Sequence, residues 1–532
     1  MKLLLQNIIL PFYAEDGDII NVAAERMKRS GVDPRTLHFQ IYKRSFDARK
    51  KDDIKAVCSV IAESDDKISL DAVRRAGAVQ IREDKLTVSQ GREKTSARPL
   101  VVGMGPAGMF CALMLAENGY APVLIDRGAS VDERVYDVER FYELCELDPD
   151  SNIQFGAGGA GTFSDGKLVT RINDSLCSYV LERLCEFGAP EEILTKAKPH
   201  VGTDLLRGVV SRLLERITEL GGELRYRCRL EDFDICSNGV AAHTTTGDIF
   251  CSVMVLAIGH SARDTVEMLM RKNIPVEPKP FSVGVRIEHL KENIDRGLYG
   301  DFAGHPKLGA GEYNLSDTKG GRGVYTFCMC PGGEVVAAAS ELGGVVVNGM
   351  SKHARNGKNS NSALAVTVYR EDYGGSVKGA IEYQRHLEIS AYAAGGGNYR
   401  APMQTVGDFL NGRCVGKLGE VEPSYMGGNR TTFARLDNVL PEYISEELKR
   451  GIKLFGRRLP GFDSESAILT GVETRTSSPV RIPRNEAMTS VGSEKIYPCG
   501  EGAGYAGGIT SAAVDGIKTA LEIIKKFSPA AE

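Results

Sequence analysis

Hydrophobic positions near the start of the chain alternate with polar ones, and one helical repeat interrupts this alternation. The pattern predicts strands over residues 3–10, 36–44 and 54–62, a helix over residues 18–29, and then a short helix and a weaker strand. Residues 90–97 are polar and predict a linker. Residues 1–96 are therefore predicted to form a small α+β module.

Residues 97–275 combine helical repeats with apolar runs. Residues 253–258 are apolar enough to predict a strand that is buried on both faces. The remaining elements are predicted as a strand over 100–103, helices over 106–118, 130–150 and 205–220, a strand over 224–230, and a two-stranded ribbon over 240–245 and 249–252. Strands that alternate with helices in this way indicate an α/β unit with a parallel sheet.

From about residue 275 the pattern changes to successive strands. These are predicted over 281–288, 323–330, 335–340 and 363–369, with helices over 377–394 and 441–457. Residues 276–480 therefore read as an antiparallel sheet that is inserted into the α/β unit. Residues 481–532 then give a strand, a glycine-rich turn and a closing helix from about residue 510.

The composition narrows the classes of protein to consider. The 532 residues include 66 basic and 70 acidic side chains, a balance that argues against a coat for nucleic acid or for an anionic membrane. No segment reaches eighteen uninterrupted apolar residues, so we expect no membrane span. The twelve cysteines include no CxxC pair, which favours reduced thiols and a cytoplasmic location.

A glycine turn follows the first strand of the α/β unit in the sequence RPLVVGMGPAGMF. Gly103 permits a tight turn, Gly105 lets the backbone approach a diphosphate, and Gly108 lets the helix lie close to the strand. The diphosphate would lie at the N–H groups of the helix N-terminus. Asp126 ends the second strand, where its carboxylate can accept hydrogen bonds from the ribose hydroxyls. We therefore predict a dinucleotide site.

A second glycine-rich segment, NIQFGAGGAGTFSDGKL, covers residues 152–168. Such a loop exposes consecutive backbone N–H groups to an anion or to a flat ring. Phe155, Phe163 and Leu168 are apolar anchors that a solvated linker would not need, which favours a loop that faces a ligand.

Three separated segments share one pattern: the glycine turn with Asp126, the strand VLAIG, and the closing segment CGEGAGYAGGI. Together they resemble the FAD-binding fold of the glutathione-reductase-type flavoproteins. This resemblance implies a discontinuous, Rossmann-like FAD-binding domain with an inserted antiparallel substrate domain. It also implies that Glu501 holds the ribityl chain and that the last helix points its N-terminus at the flavin ring. The residues implied to bind FAD are Gly103, Gly105, Pro106, Ala107, Gly108, Asp126, Arg127, Gly158, Gly159, Gly161, Thr162, Ser164, Leu230, Ala257, Gly259, Gly500, Glu501, Gly508, Ile509 and Thr510.

The resemblance becomes more specific with three further segments, KPFSVGVRIEH, GRGVYTFCMCPGGEVVAA and ETRTSSPVRI. With the glycine segments they resemble a bacterial family of FAD-dependent dehydrogenases, the NAD(FAD)-utilising dehydrogenases, over almost the whole chain. The resemblance implies domains at 1–96, 97–275, 276–480 and 481–532. Asp126 stands where many proteins of the wider fold have Glu, which shortens the reach to the ribose.

The function predicted from these features is that of an FAD-dependent oxidoreductase. It would transfer a hydride at flavin N5 to or from a small organic substrate. NAD(P)H, if used, would meet the flavin transiently, because no second strand-glycine-helix unit follows the first. The alternative is a flavin-dependent, RNA-modifying protein that grips RNA with the basic link KRSFDARKKDD. Loss of a salt-dependent gel shift on neutralising Arg49, Lys50 and Lys51 would favour it.

No catalytic residue or metal ligand is assigned from the sequence. His260, His289 and His353 could act as acid or base, but each is more often a structural polar group. The arginines in glycine- or serine-rich loops could bind a substrate anion or form salt bridges between loops; these are Arg322, Arg475 and Arg481. Cys328 and Cys330 are expected to pack, or to face the site singly, because disulfide-reducing flavoproteins of this fold carry their cysteines just after the first nucleotide unit.

Overall fold

A computed structural model describes residues 1–81 and 86–529. The first part of the chain is a four-stranded antiparallel sheet with strand order β2-β3-β1-β4. Its elements are β1 (Lys2–Pro11), α1 (Asp16–Arg29), β2 (His38–Asp47), β3 (Lys55–Glu63), α2 (Leu70–Arg75) and β4 (Ala78–Ile81). Apolar side chains of α1 pack on one face of the sheet. The prediction of strands and helices holds here, and residues 82–85 of the predicted module lie outside the described residues.

The basic link between β2 and β3 is an exposed turn that carries its own counter-charges. Arg49 donates to the Asp47 carboxylate from Nε at 2.8 Å, and Lys55 lies 2.7 Å from Asp53. Exposed pairs of this kind contribute little to stability. The basic link is therefore a solvated turn whose charges are balanced by neighbouring carboxylates.

The second part of the chain alternates strands and helices. Its elements are β5 (Glu93–Lys94), β6 (Leu100–Val102), α3 (Pro106–Glu117), β7 (Val123–Ile125), α4 (Val131–Leu144), α5 (Leu176–Glu186), α6 (Thr203–Glu219), β8 (Glu223–Arg225), β9 (Leu230–Ile235), β10 (Val240–Thr244), β11 (Gly247–Cys251), β12 (Met254–Leu256) and α7 (Arg263–Arg271). Strands β9 to β11 form a separate antiparallel sheet.

Two predicted elements of this part are wrong in their extent. The helix predicted over 130–150 ends at Leu144, because Cys145 adopts a left-handed conformation with φ of 59°. The strand predicted over 224–230 is divided into β8 and β9. Arg227 between them has φ of 49°, which a continuous strand cannot contain.

The third part of the chain is built on a seven-stranded sheet of order β15-β16-β19-β14-β22-β20-β21, antiparallel except for the pair β20–β21. Its elements are β13 (Glu277–Pro278), β14 (Phe281–Leu290), α8 (Lys291–Tyr299), β15 (Ser316–Asp317), β16 (Val324–Cys330), β17 (Glu334–Ala337), β18 (Val347–Met350), β19 (Asn359–Val368), α9 (Val377–Ala394), β20 (Ala401–Thr405), α10 (Val406–Leu410), β21 (Thr431–Phe433), α11 (Glu442–Arg458) and β22 (Ile468–Glu473).

The last part of the chain packs with the second part and adds a strand to its parallel sheet. It contains β23 (Val480–Arg481), β24 (Ile496–Pro498), α12 (Ile509–Lys526) and β25 (Phe527–Ser528). β24 pairs with β12 and completes a parallel sheet of order β24-β12-β6-β7-β8. Because all five strands run the same way, the carboxyl ends of β6, β12 and β24 meet at one edge. The chain is therefore a mixed α/β protein. Its parallel sheet combines strands that precede the seven-stranded sheet in the sequence with one strand that follows it.

A buried ion cluster joins α7 to the third part of the chain. Arg263, on α7, donates to both carboxylate oxygens of Glu388 at 2.7 and 2.9 Å. Arg475 donates to the same carboxylate at 2.9 and 3.1 Å. Burial by itself would raise the pKa of Glu388, but the two guanidinium charges outweigh it and hold the pKa well below its usual range. The carboxylate is therefore ionised at neutral pH and bridges two elements that lie far apart in sequence.

Candidate functional site

The three glycines of the first turn differ in what surrounds them. A Cβ on Gly103 would lie 2.3 Å from the Ala257 carbonyl oxygen, and one on Gly108 would lie 1.8 Å from the Gly103 carbonyl oxygen. A Cβ on Gly105 would meet only the Gly159 Cα, at 3.8 Å. Gly105 also has φ of −76°, which any residue can adopt. Two glycines are therefore required by the fold, whereas the third has room for a Cβ at the N-terminus of α3.

Asp126 directly follows β7 and is 7 % exposed. One carboxylate oxygen accepts from the Met104 N–H at 2.7 Å, and the other accepts from the Gly128 N–H at 2.8 Å. These bonds fix the glycine turn against the end of β7. A carboxylate has about four acceptor positions, so positions remain for hydroxyl donors such as those of a ribose.

The second glycine segment lies directly over the first turn. Gly158 donates its N–H to the Met104 carbonyl at 2.8 Å. The short 3₁₀-helix Gly159–Phe163 follows, and a Cβ on Gly159 would lie 2.8 Å from the Gly105 Cα. A Cβ on Gly161 would lie 3.2 Å from the Ile509 side chain. The segment therefore bridges the N-termini of α3 and α12.

Two hydroxyls of the second segment stabilise its own backbone. Thr162 donates to the Ala157 carbonyl at 3.4 Å, and Ser164 donates to the Gly161 carbonyl at 2.7 Å. Their side chains hold the loop in shape in this structure.

Arg134 of α4 binds the backbone of the second glycine segment. No pattern in the sequence indicates this role. Its guanidinium is fully buried and donates to the carbonyls of Asn152, Ile153, Ala157 and Gly159 at 2.8 to 2.9 Å. Burial lowers the pKa of Arg134 to about 9, so it stays charged at neutral pH. The carbonyls of the loop therefore point towards Arg134, which fixes the shape of the segment.

The ends of β12 and β24 contribute the next part of the site. Gly259 has φ of 70°, and a Cβ on it would have no neighbour within 4 Å, whereas a Cβ on Gly502 would lie 2.5 Å from the Gly259 carbonyl oxygen. Gly500 donates its N–H to Asp515 at 2.7 Å. Glu501 lies 3.8 Å from His260 Nδ1, and His260 Nε2 is buried without a partner in the described chain. The predicted contact Glu501 thus stands beside a buried donor or acceptor that a ligand could satisfy.

The N-terminus of α12 is open to the same space. A Cβ on Gly507 or on Gly508 would have no neighbour within 4 Å. The residue at the N-cap is Gly508, and α12 begins at Ile509. Thr510 is therefore not the N-cap of α12. It lies inside the first turn and donates to the Leu168 carbonyl at 2.8 Å.

Arg127 and Leu230 lie at the periphery of this arrangement. Arg127 donates to both Asp264 oxygens at 2.8 and 2.9 Å and stacks over Phe155 at 4.4 Å. It lines a cavity of about 420 Å³ that also touches Arg229. Leu230 is buried at the start of β9 in an apolar cluster with neighbouring strands. The cavity lies beyond Asp126, and none of its lining residues belongs to the start of α12.

A charged cluster lies next to the first turn of α12. Lys167 precedes Leu168 and lies 2.8 Å from Asp165, which Arg355 also contacts. Burial alone would raise the pKa of Asp165, but the Lys167 and Arg355 charges lower it to about 2. The sequence suggested neither Lys167 nor Arg355, because the cluster forms only when Arg355 reaches Asp165 across 190 residues of chain.

The two other candidate histidines are structural. His289 is buried and donates from Nε2 to the Phe462 carbonyl at 2.7 Å, and burial lowers its pKa to about 4. His353 stacks on His200 with ring centroids 5.3 Å apart and contacts the Val201 carbonyl. Of the three, only His260 lies beside a predicted FAD contact.

Two of the three candidate arginines likewise have structural roles. Arg322 forms a two-point ion pair with Asp372 at 2.5 and 2.7 Å, and Arg475 belongs to the Glu388 cluster. For these two, the alternative of a salt bridge between segments is the one observed. Arg481 stacks on Tyr505 at 5.1 Å, close to Glu501 in sequence.

Comparison with known proteins identifies the family. Residues 280–476 match the model of the FAD-dependent protein C-terminal domain-like family, and residues 1–63 match a domain of unknown function, DUF8436. The chain is 52 % identical over 495 residues to an uncharacterized protein of Clostridium beijerinckii, and the match covers 92 % of each chain. The chain belongs to the same family as this protein.

Solved structures show weaker likeness. The L-amino acid deaminase from Proteus vulgaris is 14 % identical over 84 % of this chain and 97 % of its own, with a TM-score of 0.34. CtdE in complex with FAD is 11 % identical over 79 % of this chain and 82 % of its own, with a TM-score of 0.31. These scores are too low to support an argument about this chain.

FAD is the cofactor of the family domain, so the prediction of FAD is confirmed and with it flavin-dependent chemistry in general. None of these matches favours the alternative of an RNA-modifying protein. Among residues 1–81 and 86–529, no helix is long and apolar enough to cross a membrane. Within the same residues, no group of three or more His, Cys, Asp or Glu side chains is arranged around a possible metal ion.

Proposed function

We propose that the chain is an FAD-dependent oxidoreductase of the dehydrogenase type, acting on a small organic substrate. A bound flavin supplies hydride transfer at N5, so the protein has to bind it, shield it and present a substrate. If a nicotinamide nucleotide is the electron donor, NAD(P)H would bind transiently and reduce the flavin in the other half of the reaction. The cytoplasmic location also stays a prediction, supported by twelve cysteines that are all free thiols within the described residues.

The proposed path of FAD runs along the edge where the strands of the parallel sheet end. The ribose of the adenosine would lie at Asp126, and the diphosphate at Gly105 and the first turn of α3. The ribityl chain would pass Glu501, and the ring would lie at the N-terminus of α12, near Ile509. A helix N-terminus favours negative charge, which suits both the diphosphate and the ring edge that gains charge on reduction.

This path implies a discontinuous, Rossmann-like domain of the glutathione-reductase type. Residues 97–275 and 481–532 would form it, residues 276–480 would form the inserted substrate domain, and residues 1–96 the small module at the front. The strand order β24-β12-β6-β7-β8 supports this division, because the last strand added comes from beyond the insertion.

The room for a Cβ at Gly105 is the observation that carries the proposal. A Cβ is excluded by the fold at Gly103 and Gly108 but not at Gly105, so the fold itself does not explain the third glycine. A ligand that touches the backbone there does explain it. Gly259, Gly507 and Gly508 also have room for a Cβ along the proposed path.

The experiment begins with the protein as purified. Its cofactor is released by denaturation and identified by chromatography, with one FAD per chain expected. The holoenzyme is then mixed anaerobically with NADH, with NADPH and with panels of amino acids, hydroxy acids and amines, and the flavin absorbance is followed. Bleaching by one organic class within seconds supports the dehydrogenase. A protein that carries FAD but is bleached by none of them, and whose chemically reduced flavin is reoxidised by no quinone or imine, contradicts it.

A further inference from the structure

Cys328 and Cys330 lie where the strand β16 departs from regular geometry. Residues two apart in a strand share a face, and their Cα atoms are about 6.7 Å apart. Here Phe327 pairs with Ala363 and Cys330 pairs with Asn361, so three steps on β16 match two steps on β19. Cys328 in the bulge has φ of 44°. The spacing in a regular strand is already near the upper limit of about 6.8 Å for the Cα atoms of a disulfide, and because the bulge fits an extra residue into β16, we expect the two cysteines to lie closer than that.

The two cysteines share one buried cation. The Cys330 thiol donates to the Cys328 carbonyl oxygen at 3.4 Å, and the two thiols are close enough for each to shift the pKa of the other. Arg286 Nη2 lies 3.3 Å from Cys330 Sγ and also donates to the Cys328 carbonyl. Arg286 is itself fixed by Glu473, with both oxygens at 3.0 Å. The bulge is therefore held in one conformation by a buried ion pair.

The charges around the pair favour a thiolate on Cys328. The hydrogen bond from Cys330 lowers the pKa of Cys328 below its ordinary value of 9.0; the Lys167 and Arg286 charges lower it further, against burial and the Asp165 charge. The same hydrogen bond and burial raise the pKa of Cys330. Lys167 is held beside the pair because it donates to the Met329 carbonyl.

The two thiols also differ in access. Cys328 is partly exposed, whereas Cys330 is fully buried. In thiol–disulfide exchange, an accessible thiolate attacks first and a second thiol resolves the mixed disulfide. The more acidic and more accessible position therefore suits attack, and the buried thiol suits resolution.

We propose that Cys328 and Cys330 form a redox-active dithiol that reduces small disulfides, contrary to what their position in the sequence leads us to expect. The Cys328 thiolate attacks one sulfur of a disulfide RSSR, the S–S bond breaks, and one RS⁻ leaves and takes a proton. The Cys330 thiol then loses its proton and attacks the Cys328 sulfur, which releases the second RS⁻ as RSH. The two cysteines are oxidised to one internal disulfide, and RSSR is reduced to two thiols. The step requires no cofactor, so it stands independently of the proposed dehydrogenase function.

The test uses the holoenzyme after reduction and removal of the reductant. It is incubated anaerobically with 2-hydroxyethyl disulfide, alkylated and digested with trypsin. The tryptic peptide 323–352 contains Cys328 and Cys330 and no other cysteine. We expect it to lose two hydrogens and to take up no alkyl group, with two thiols released for each disulfide consumed. The peptide 414–417, with Cys414 as its single cysteine, serves as the internal control and should stay alkylated.

Single variants separate the two roles. Cys330→Ser should stop at a mixed disulfide on Cys328 and release one thiol, whereas Cys328→Ser should leave the peptide unmodified. Alkylation of Cys328 by iodoacetamide should have its midpoint between about pH 3.5 and 7.5. Lys167→Met should raise that midpoint by about one pH unit or more, and Lys167→Arg should restore it.

Two results on the wild-type protein would overturn the proposal. In one, both cysteines of peptide 323–352 remain alkylatable after the disulfide treatment. In the other, they stop at mixed disulfides without forming the internal bond. Because the readout is the mass of one peptide, neither result depends on FAD content or on any dehydrogenase activity, and failure of this proposal leaves the proposed function standing.

Discussion

Gly105→Asp should affect the fold and the cofactor in opposite directions. Gly105 is the N-cap of α3, with φ of −76° and ψ of 179°. Aspartate adopts this conformation freely, and a Cβ there meets only the Gly159 Cα at 3.8 Å. As an N-cap, Asp is better than Gly by a few tenths of a kcal/mol. The FAD-free protein should therefore be as stable as wild type or slightly more stable.

The loss of FAD affinity can be estimated from charge alone. If the diphosphate lies at the N-terminus of α3, the new carboxylate stands about 4 Å from it. Two like charges at that distance repel by about 4 kcal/mol at an effective dielectric constant of about 20. Since about 1.4 kcal/mol corresponds to a factor of ten, FAD should bind about three orders of magnitude more weakly, before any steric clash is added.

The assay measures two quantities on each purified variant. Bound FAD per chain is determined by absorbance after denaturation, and the free energy of unfolding is determined by urea titration of the FAD-free protein. Gly105→Asn has the same shape without the charge, so it should retain more FAD than Gly105→Asp. Gly103→Ala is the control for the fold. Its Cβ would lie 2.3 Å from the Ala257 carbonyl oxygen at φ of 105°, so it should unfold more easily with or without FAD.

Two outcomes would contradict the prediction for Gly105→Asp. If Gly105→Asp purifies with one FAD per chain, the diphosphate does not lie at the N-terminus of α3. If its FAD-free form is destabilised as strongly as that of Gly103→Ala, the fold needs glycine at this position and the room for a Cβ has no bearing on a ligand.

Three further predictions concern the second nucleotide, α12 and the ion cluster. Calorimetry should find no tight NAD(P)H complex with the FAD-loaded protein, and a sub-micromolar complex would contradict the absence of a dedicated nucleotide fold. Thr510→Val should cost about 1 to 3 kcal/mol in urea titration because the Leu168 carbonyl loses its donor, while Thr510→Ser should keep wild-type stability. Glu388→Gln should cost about 3 to 5 kcal/mol at pH 7, since Arg263 and Arg475 lose their buried counter-charge. Because the pKa of Glu388 is lowered in the folded protein, this contribution is complete above about pH 4.5 and is lost on further acidification. The difference in unfolding free energy between wild type and variant should therefore shrink below that pH. A difference that stays constant with pH would contradict this prediction.

The parts of the site that could be predicted are those encoded by neighbouring residues. Gly103, Gly105 and Gly108 lie within six positions, and a strand before them and a helix after them suffice to place them at a turn. Asp126 follows from the same unit, because a strand that pairs in parallel with its neighbour ends at the same edge. Local spacing therefore predicted the glycine turn and the position of Asp126 beside it, whereas nucleotide binding at this turn stays a prediction.

Features that depend on distant partners were missed or misread. Thr510 precedes an apolar helical repeat and resembles an N-cap, but its hydroxyl donates to Leu168, 342 residues away. Nothing around Arg134 indicates that its side chain enters the interior beneath the second glycine loop. The division of the strand at Arg227 likewise depends on a backbone conformation that the apolar pattern does not reveal.

The same dependence on distant partners links FAD to the stability of the whole chain. The segments that border the proposed path are drawn from residues 103–108, 156–164, 257–260 and 500–510, which come together only in the folded protein. A ligand that binds only the folded state stabilises it by about 2.7 kcal/mol when present at a hundred times its dissociation constant. Gly105→Asp should therefore raise the stability of the FAD-free protein by a few tenths of a kcal/mol and still lower the apparent stability whenever FAD is in excess, because the ligand term it removes is several times larger.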